Sequence, residues 1–346
     1  MAKAVKLADI AARVGVSTVT VSKALSGQKG VSDEMREKIK KLADELGYRP
    51  PSAARRETSQ ARSYNIGVLI EEDYLDKYES FYWNIYQHVS ICALNCECFA
   101  MMEVVSSRME EQMEMPKVIR DRKVHGIIVI GRMPGRYLKL LKDNKDVPVV
   151  YVDFTDDAPV TDAVISDSYY GAYHLVNYLL DQGHTQIAYV GTLLATSSIT
   201  DRYFGYAKAL MEHGIPLKDH WQLNDRNISS GVIQEELMEL PEEMPTAFFC
   251  NCDLAAGKLI HRLRERGFRV PEDISVVGFD NYIYPGICDV GITTYEVDQA
   301  EMAAQAVQVL VKRMGGEPCR YGTHVVEGRL VIRESVHNLK EEGDRL

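Results

Sequence analysis

The segment from Leu7 to Arg55 constrains this chain more than any other part of it. It reads LADIAARVGVSTVTVSKALSG, then VSDEMREKIKKLADELGYRP, then PSAAR. A short helix, a turn at Gly15 and a second short helix fit within about twenty residues, the spacing of a helix-turn-helix whose second helix is shaped for the DNA major groove. The periodicity predicts a first helix from Lys6 to Val14, with Leu7, Ile10 and Ala11 on one face. Ser17 is placed to cap a second helix running to about Leu25. Ser32 is placed to cap a third, with Ile39, Leu42 and Leu46 as its apolar face and Gly47 as its C-terminal stop. Pro50-Pro51 prevents any continuation, and the polar stretch Ser52 to Ser63 reads as a linker.

Charge separates this head from the rest of the chain. The net charge of −10 is distributed unevenly: residues 1–62 hold 13 Lys/Arg against 7 Asp/Glu, a net of +6, whereas the remainder holds 27 against 43, a net of −16. A basic head on an acidic body suits a small phosphate-binding module carried by a domain that avoids nucleic acid. Lys3, Lys6 and Asp9 interrupt any signal-peptide-like apolar run, and no stretch approaches a membrane span, so a cytoplasmic protein with no membrane partner is expected. The 7 cysteines sit mostly in apolar runs such as Ile91-Cys92-Ala93-Leu94 and Phe248-Phe249-Cys250 and read as reduced core thiols. Cys92, Cys96 and Cys98 lack metal-site spacing and a nearby His pair, so no metal is expected.

From Tyr64 onward the pattern alternates strand and helix. Buried-type strands are predicted at Ile66–Ile70, Gly126–Gly131, Val147–Asp153, Ile187–Gly191, Ala247–Cys250 and Ile274–Asp280. Runs that are apolar on both faces imply parallel strands sandwiched between helices. With 346 residues and about ten such strands, two doubly wound subdomains are expected rather than one sheet. The fold class expected is therefore a small all-α helix-turn-helix head on an α/β body.

With those residues in view, the chain resembles the LacI/GalR family of bacterial repressors along its whole length. DIAARVGVSTVTVSKALSG is similar to the family's head signature. The body adds DSYYGA (167–172), DQGHTQIAYVG (181–191), RVPEDISVVGFDN (269–281), ITTY (292–295) and RLVIRES (329–335) in the family's order. The resemblance implies a periplasmic-binding-protein-like body of two Rossmann-like subdomains, crossed three times by the chain, with effector in the cleft. It implies a head at 1–49, a hinge at 50–62 and a body at 63–346. The body then divides into an N-subdomain of about 63–160 plus 293–322 and a C-subdomain of about 161–291 plus 323–346.

In the head, the family's base-reading positions fall on Thr18, Val19 and Lys23. A threonine offers hydroxyl or methyl, a valine an apolar contact to a thymine methyl, and a lysine donors to guanine. Ser17, Thr20 and Ser22 suit phosphate contacts. Val19 and Val21 could instead pack the head's core. The linker resembles the family's hinge pattern Tyr-x-Pro-Asn-x-x-Ala-Arg-x-Leu, matching at Ala54 and Arg55. It departs from that pattern at Pro51, where Asn is usual, and at Glu57, where an apolar wedge is usual. A carboxylate between phosphate walls cannot serve as that wedge. Arg55 and Arg56 are therefore expected to hold the hinge in the groove or on phosphates, with less bending of the DNA.

In the body, the resemblance places effector contacts at strand ends facing the cleft. The matching positions are Glu71 and Glu72 after the first strand, Phe81 as a stacking ring, Asp153, Arg202, Cys252 and Asp280. An aromatic ring, a forked donor and paired acceptors suit a hydroxyl-rich ring such as a sugar or nucleoside. For three of them there is a plainer alternative: Phe81 in a helix core, Arg202 paired with Asp201, Asp280 as a turn residue. Cys252 stands where the family shows a ligand-contacting Asn, which removes an amide donor and acceptor.

The mechanism implied is allosteric repression. Two chains form a homodimer, two heads meet a pseudo-palindromic operator on double-stranded DNA, and a small-molecule effector alters the angle between subdomains. Two rivals exist. The body alone would fit a solute-binding protein, which the basic head argues against. An enzyme is disfavoured because no Gly-x-Gly-x-x-Gly, P-loop or Gly-x-Ser-x-Gly motif is present, so no cofactor and no catalytic residue are expected.

Overall fold

The computed structural model describes residues 7–25, 31–46, 64–75, 80–156, 160–228, 231–282, 286–318 and 320–340. The hinge positions Pro51, Arg55, Arg56 and Glu57, and the helix stop at Gly47, lie outside them. The chain divides into two compact units, residues 1–62 and 63–346.

The head contains three helices: α1 (Leu7–Val14), α2 (Thr18–Leu25) and α3 (Asp33–Glu45). Gly15 takes a positive φ of 75°, which lets the chain reverse after α1 while Gly15 N and Val16 N both bond to Ala11 O; glycine adopts this conformation without penalty. Ile10, Ala11, Val21, Ala24, Ile39 and Ala43 form the core between the three helices.

The body holds two parallel sheets. A six-stranded sheet has the order β11-β5-β4-β3-β1-β2. Its members are β1 (Asn65–Glu71), β2 (Phe99–Val105), β3 (Gly126–Ile130), β4 (Val149–Val152), β5 (Asp162–Ser166) and β11 (Thr323–Val326). A four-stranded sheet has the order β7-β6-β8-β9, from β6 (Ile187–Val190), β7 (Gln222–Leu223), β8 (Ala247–Cys250) and β9 (Ser275–Val277). Every pairing within these sheets is parallel. The interiors of β1, β3, β4, β6, β8 and β9 are buried on both faces, as continuous Val/Ile/Phe runs between helix layers require, whereas the edge strands β2 and β11 are largely exposed. Helices follow strands with side-chain caps at their first turns. Ser80 caps α4 (Phe81–Asn95), Asp167 caps α8 (Ser168–Asp181), Thr196 caps α9 (Ser197–Glu212) and Asp298 caps α11 (Gln299–Met314). Shorter helices lie at Ser107–Glu111 (α5), Lys117–Arg120 (α6) and Gly135–Asp143 (α7), and α10 spans Asp253–Glu265.

The subdomain boundaries differ from those the resemblance implies. Residues 162–166 and 323–326, expected in the C-subdomain, are both strands of the N-subdomain's six-stranded sheet. Parallel pairing of β5 with β4 and with β11 places them there, and a buried ion pair accompanies it. Asp162 at the head of β5 receives Arg313 of α11 at 2.7 and 3.0 Å and Gly322 N at 3.3 Å, which ties both strands to that sheet. The chain therefore crosses after Ser166, again around β10 (Thr294–Glu296), and a third time between β11 and β12 (Arg329–Val331). The last two crossings pair as an antiparallel ribbon. Phe279, Tyr295, Val297 and Val326 join the apolar interiors of the two subdomains into one cluster at these crossings.

Candidate functional site

In the head, α2 divides into two faces. Val21 and Ala24 point into the core, whereas Thr18, Ser22 and Lys23 are exposed and Val19 is 61% exposed. Positions 18, 19, 22 and 23 share one side of a 3.6-residue helix, so the exposed stripe combines two hydroxyls, an apolar tip and a cation. Ser17 starts the helix: its Oγ accepts from Thr20 N at 3.1 Å and lies 2.9 Å from Thr20 Oγ1. At the other end, the Arg36 guanidinium of α3 donates to the carbonyls of Lys23 (3.4 Å) and Ala24 (3.1 Å), a cation on the negative end of the helix. The stripe is thus fixed at both ends by neighbouring residues.

In the body, two carboxylates and one guanidinium meet where the strand ends of the two subdomains face each other. Arg202, on α9, is buried. Its Nη2 lies 3.1 Å from Asp280 Oδ1, its Nε donates to Ser168 Oγ at 3.3 Å, its Nη1 donates to Asn251 O, and its guanidinium carbon lies 3.8 Å from the centre of the Phe279 ring. Asp153, just past β4, accepts from the Tyr82 hydroxyl at 2.9 Å. Asp153 and Asp280 have φ of 70° and 99°. That is a strained conformation for residues with a Cβ, and both examples sit at the cleft.

Burial raises the Asp153 carboxyl above its ordinary range, against the pull of Arg202 and the Tyr82 hydroxyl. Burial also raises Asp280, to about 6; Arg202 and Arg226 oppose this and Asp153 adds to it. The two carboxylates therefore repel each other across the cleft, with Arg202 attracting both.

Sequence reasoning missed a second guanidinium. Arg226 is held by Asp225, with Nη2 to Oδ2 at 2.7 Å and Nε to both oxygens at 3.0 and 3.1 Å. Its Nη2 also reaches Asn251 Oδ1 at 2.8 Å and the Cys252 sulfur at 3.6 Å. Asp225 is fully buried. Burial would raise it, but Arg226, the Asn251 amide and Thr192 N outweigh burial and hold it low. Cys252 faces this network, and burial pushes its thiol up to about 11 despite Arg226, so it is a neutral thiol and an inert wall. The signal for Arg226 is weak in the sequence because the strand before it, β7, has only two residues.

Aromatic side chains line the N-subdomain wall. Phe81 packs edge-to-face on Tyr82 at 5.4 Å and on Tyr282 of the opposite subdomain at 6.3 Å. Tyr74 packs on Tyr82 at 4.9 Å, and its hydroxyl donates to Arg132 O at 3.2 Å. Arg132 in turn donates to Leu194 O and Ala195 O, at 3.3 and 3.0 Å, on the C-subdomain, so the two walls touch along one rim. Glu71 ends β1 beside Tyr74. Burial, then Glu110, Asp73 and Glu72, push its carboxyl up to about 7. Glu72 Oε1 accepts from Ser107 N (2.9 Å) and Ser107 Oγ (3.1 Å). Its carboxylate is thus engaged at the start of α5 while still acting on Glu71.

A cavity of about 530 Å³ opens beside the crossings, lined by Asn84, His88, Asp280–Tyr282, Glu296–Ala300 and Glu327–Arg329. It shares Asp280 and Tyr282 with the cleft and is otherwise formed mainly by the crossing segments.

Comparison with known proteins matches the head and part of the body separately. Residues 6–51 match the family described as bacterial regulatory proteins, lacI family, and residues 176–336 match a periplasmic binding protein-like domain. The HTH-type transcriptional repressor PurR of Vibrio campbellii is 27% identical over 340 residues, covering 96% of this chain and 98% of that protein. PurR of Erwinia tasmaniensis is 29% identical over 336 residues, covering 95% and 96%. Among solved structures, a transcriptional regulator CelR–cellobiose complex aligns with a TM-score of 0.69 at 23% identity, covering 96% of this chain and 99% of that one. The lac repressor dimer bound to operator aligns with a TM-score of 0.64 at 24% identity, covering 97% and 100%. These two structures bear on the fold.

Proposed function

Since the chain belongs to the lacI family of bacterial regulatory proteins, we propose that it represses transcription from a pseudo-palindromic operator as a homodimer, under control of a small polar effector in the body's cleft. The observation that carries the reading is the division of α2: Val21 and Ala24 are committed to the core, which leaves Thr18, Val19, Ser22 and Lys23 as an exposed polar and apolar face. A face of that composition matches the donors, acceptors and thymine methyl of the major groove. Ser17 and Thr20 lie at the helix start, where hydroxyls and backbone N–H groups suit phosphate.

In the cleft, Arg202, Asp280, Asp153 and Phe81 take the effector, with Glu71 and Cys252 at the edges. Tyr82 and Arg226 complete the walls. Relatives named as PurR repressors, and solved structures described with cellobiose or ribose, support a sugar or nucleoside-like ring as the class. Dimerisation is supported by exposed apolar side chains on the N-subdomain, Ile91 and Leu94 on α4 and Phe99, Met101 and Val104 on β2, and β2 is an edge strand of its sheet. Such an edge is normally covered. None of the described helices is long and apolar enough to cross a membrane, and a repressor acts in the cytoplasm with the chromosome.

The test is selection of genomic fragments by the full-length protein, followed by affinity measurements against salt. The reading expects one or a few two-fold symmetric sites, with affinity falling steeply as salt rises. Binding that shows no sequence preference, or no salt dependence, would favour a solute-binding protein instead.

A further inference from the structure

We propose that the effector carries a protonated amine on its hydroxyl-bearing ring, held between Asp153 and Asp280 against the Tyr82 and Phe81 rings. This rests on the cleft being the effector site and narrows what that site accepts.

Charge and hydrogen-bond supply both point this way. Asp225 is occupied by Arg226, Asn251 Nδ2 at 2.7 Å and Thr192 N at 2.9 Å, so that carboxylate and guanidinium offset each other. Arg202 then acts on two carboxylates, one from each wall, and Arg226 acts on Asp280 as well. At the rim, Arg132 stands with a further carboxylate, Glu71, both acting on Tyr74. The cleft therefore presents carboxylates from both walls. Asp280 accepts from Arg202 through Oδ1 and Asp153 from Tyr82 through Oδ2. Each carboxylate has a second oxygen able to accept. Carboxylates from opposite walls thus offer acceptors to a ligand's donors.

A neutral hydroxyl would satisfy one oxygen and leave the repulsion between the carboxylates in place. An ammonium brings three donors and a full charge, so it can bridge both oxygens and offset that repulsion as the walls close. The aromatic cluster of Tyr74, Phe81 and Tyr82 adds ring faces that attract a cation. A phosphate or carboxylate on the ligand would meet the same two carboxylates and be repelled.

The experiment is calorimetry on the full-length protein with matched pairs: D-glucosamine and D-glucose, D-galactosamine and D-galactose, 5′-amino-5′-deoxyadenosine and adenosine, with glucose 6-phosphate as the anionic case. The proposal expects at least one amine to bind about tenfold or more tighter than its hydroxyl parent, with proton release on binding. Asp153→Asn should bring that ratio close to one by weakening the amine more than its hydroxyl parent; Asn tolerates the positive φ of this position, so the fold is kept. Equal or tighter binding of the neutral parent or the phosphate overturns the proposal and leaves the cleft reading standing, provided Asp280→Asn weakens that binding. Binding that neither Asp153→Asn nor Asp280→Asn alters overturns the cleft reading itself. Failure of every amine to bind at millimolar concentration also counts against the proposal.

Discussion

The guanidinium of Arg202 pairs with Asp280 at 3.1 Å while its plane covers the Phe279 ring at 3.8 Å. Arg202 comes from α9 and Asp280 from the turn after β9, so the contact fixes the end of a strand to a helix 78 positions away in sequence numbering. The same guanidinium acts on Asp153 of the other subdomain. One side chain thus links ligand contacts to the relation between the two walls.

Replacing Arg202 with Met leaves Asp280 and Asp153 buried without their cation. Loss of one partner of a buried pair costs about 3–5 kcal/mol, so urea unfolding of the body should show a loss of that order at pH 8. At pH 5 the carboxyls take up protons and the loss should shrink. Equal losses at both values would show that Arg202 acts by packing on Phe279 rather than by charge.

Asp280 is raised to about 6, above the ordinary value of about 3.9 for an unfolded aspartate. The folded state therefore binds more protons than the unfolded state between these values, and the stability supplied by the neutral carboxyl is lost as pH rises through about 6. Asp280→Asn should gain on the wild type across that window, by about 3 kcal/mol at most, and level off above it. The groups facing Asp280 are Arg202, Arg226, Asp153, Asp253, Cys252 and Tyr82. A flat difference between pH 4 and 8 would mean that these already hold the carboxylate ionised at low pH. Affinity for an amine-bearing effector should fall as pH drops through the same window.

Val21 and Val19 are two positions apart and have different roles. Val21 is 0% exposed and Val19 61% exposed. Val21→Ala should lower the head's stability by about 1.5–3 kcal/mol, the scale of a fully buried valine side chain, with operator affinity falling only as the folded fraction falls. Val19→Ala should stay within about 0.5 kcal/mol in stability and still weaken operator binding. Thermal melts paired with anisotropy titrations separate the two; a folding defect in Val19→Ala would contradict the assignment.

Lys23 distinguishes base reading from phosphate contact. If it donates to a guanine, Lys23→Gln costs about 1–3 kcal/mol at the matching base pair and relaxes preference there. If it meets only phosphate, the loss is uniform across sequences and the salt slope falls by about one unit. The exposed face it shares with Thr18, Val19 and Ser22 favours the first outcome.

Much of this architecture can be read from local patterns. The head's helices follow from apolar spacing and from Ser17 and Ser32 as caps, and the buried parallel strands follow from runs apolar on both faces. Arg202 and Asp280 stand in recognisable motifs, Asp201–Gly205 and Gly278–Asn281. Tyr82 is hidden in the sequence because its partner Asp153 is brought to it only by the fold, from a separate strand. Arg226 follows a two-residue strand that leaves no periodic trace, yet its pairing with Asp225 sets the chemistry of one wall. The boundary at Asp162 follows from strand pairings accompanied by an ion pair to Arg313, 151 residues along the chain, which no local window contains. Glu72 adjoins Glu71 in the sequence, and only the fold shows its carboxylate engaged by Ser107 at the start of α5.

The central claim is that a ligand in the Arg202–Asp280 cleft controls operator binding by the α2 face. The most direct measurement is fluorescence anisotropy of a selected operator with the full-length protein, titrated with a ligand found by thermal shift, in the wild type and in Asp280→Asn. The account predicts that the ligand changes operator affinity by about 5–150-fold in the wild type and has little effect in Asp280→Asn, whose operator affinity without ligand stays close to wild type. An unchanged ligand response in Asp280→Asn, or a cleft-binding ligand with no effect on operator affinity, would contradict it.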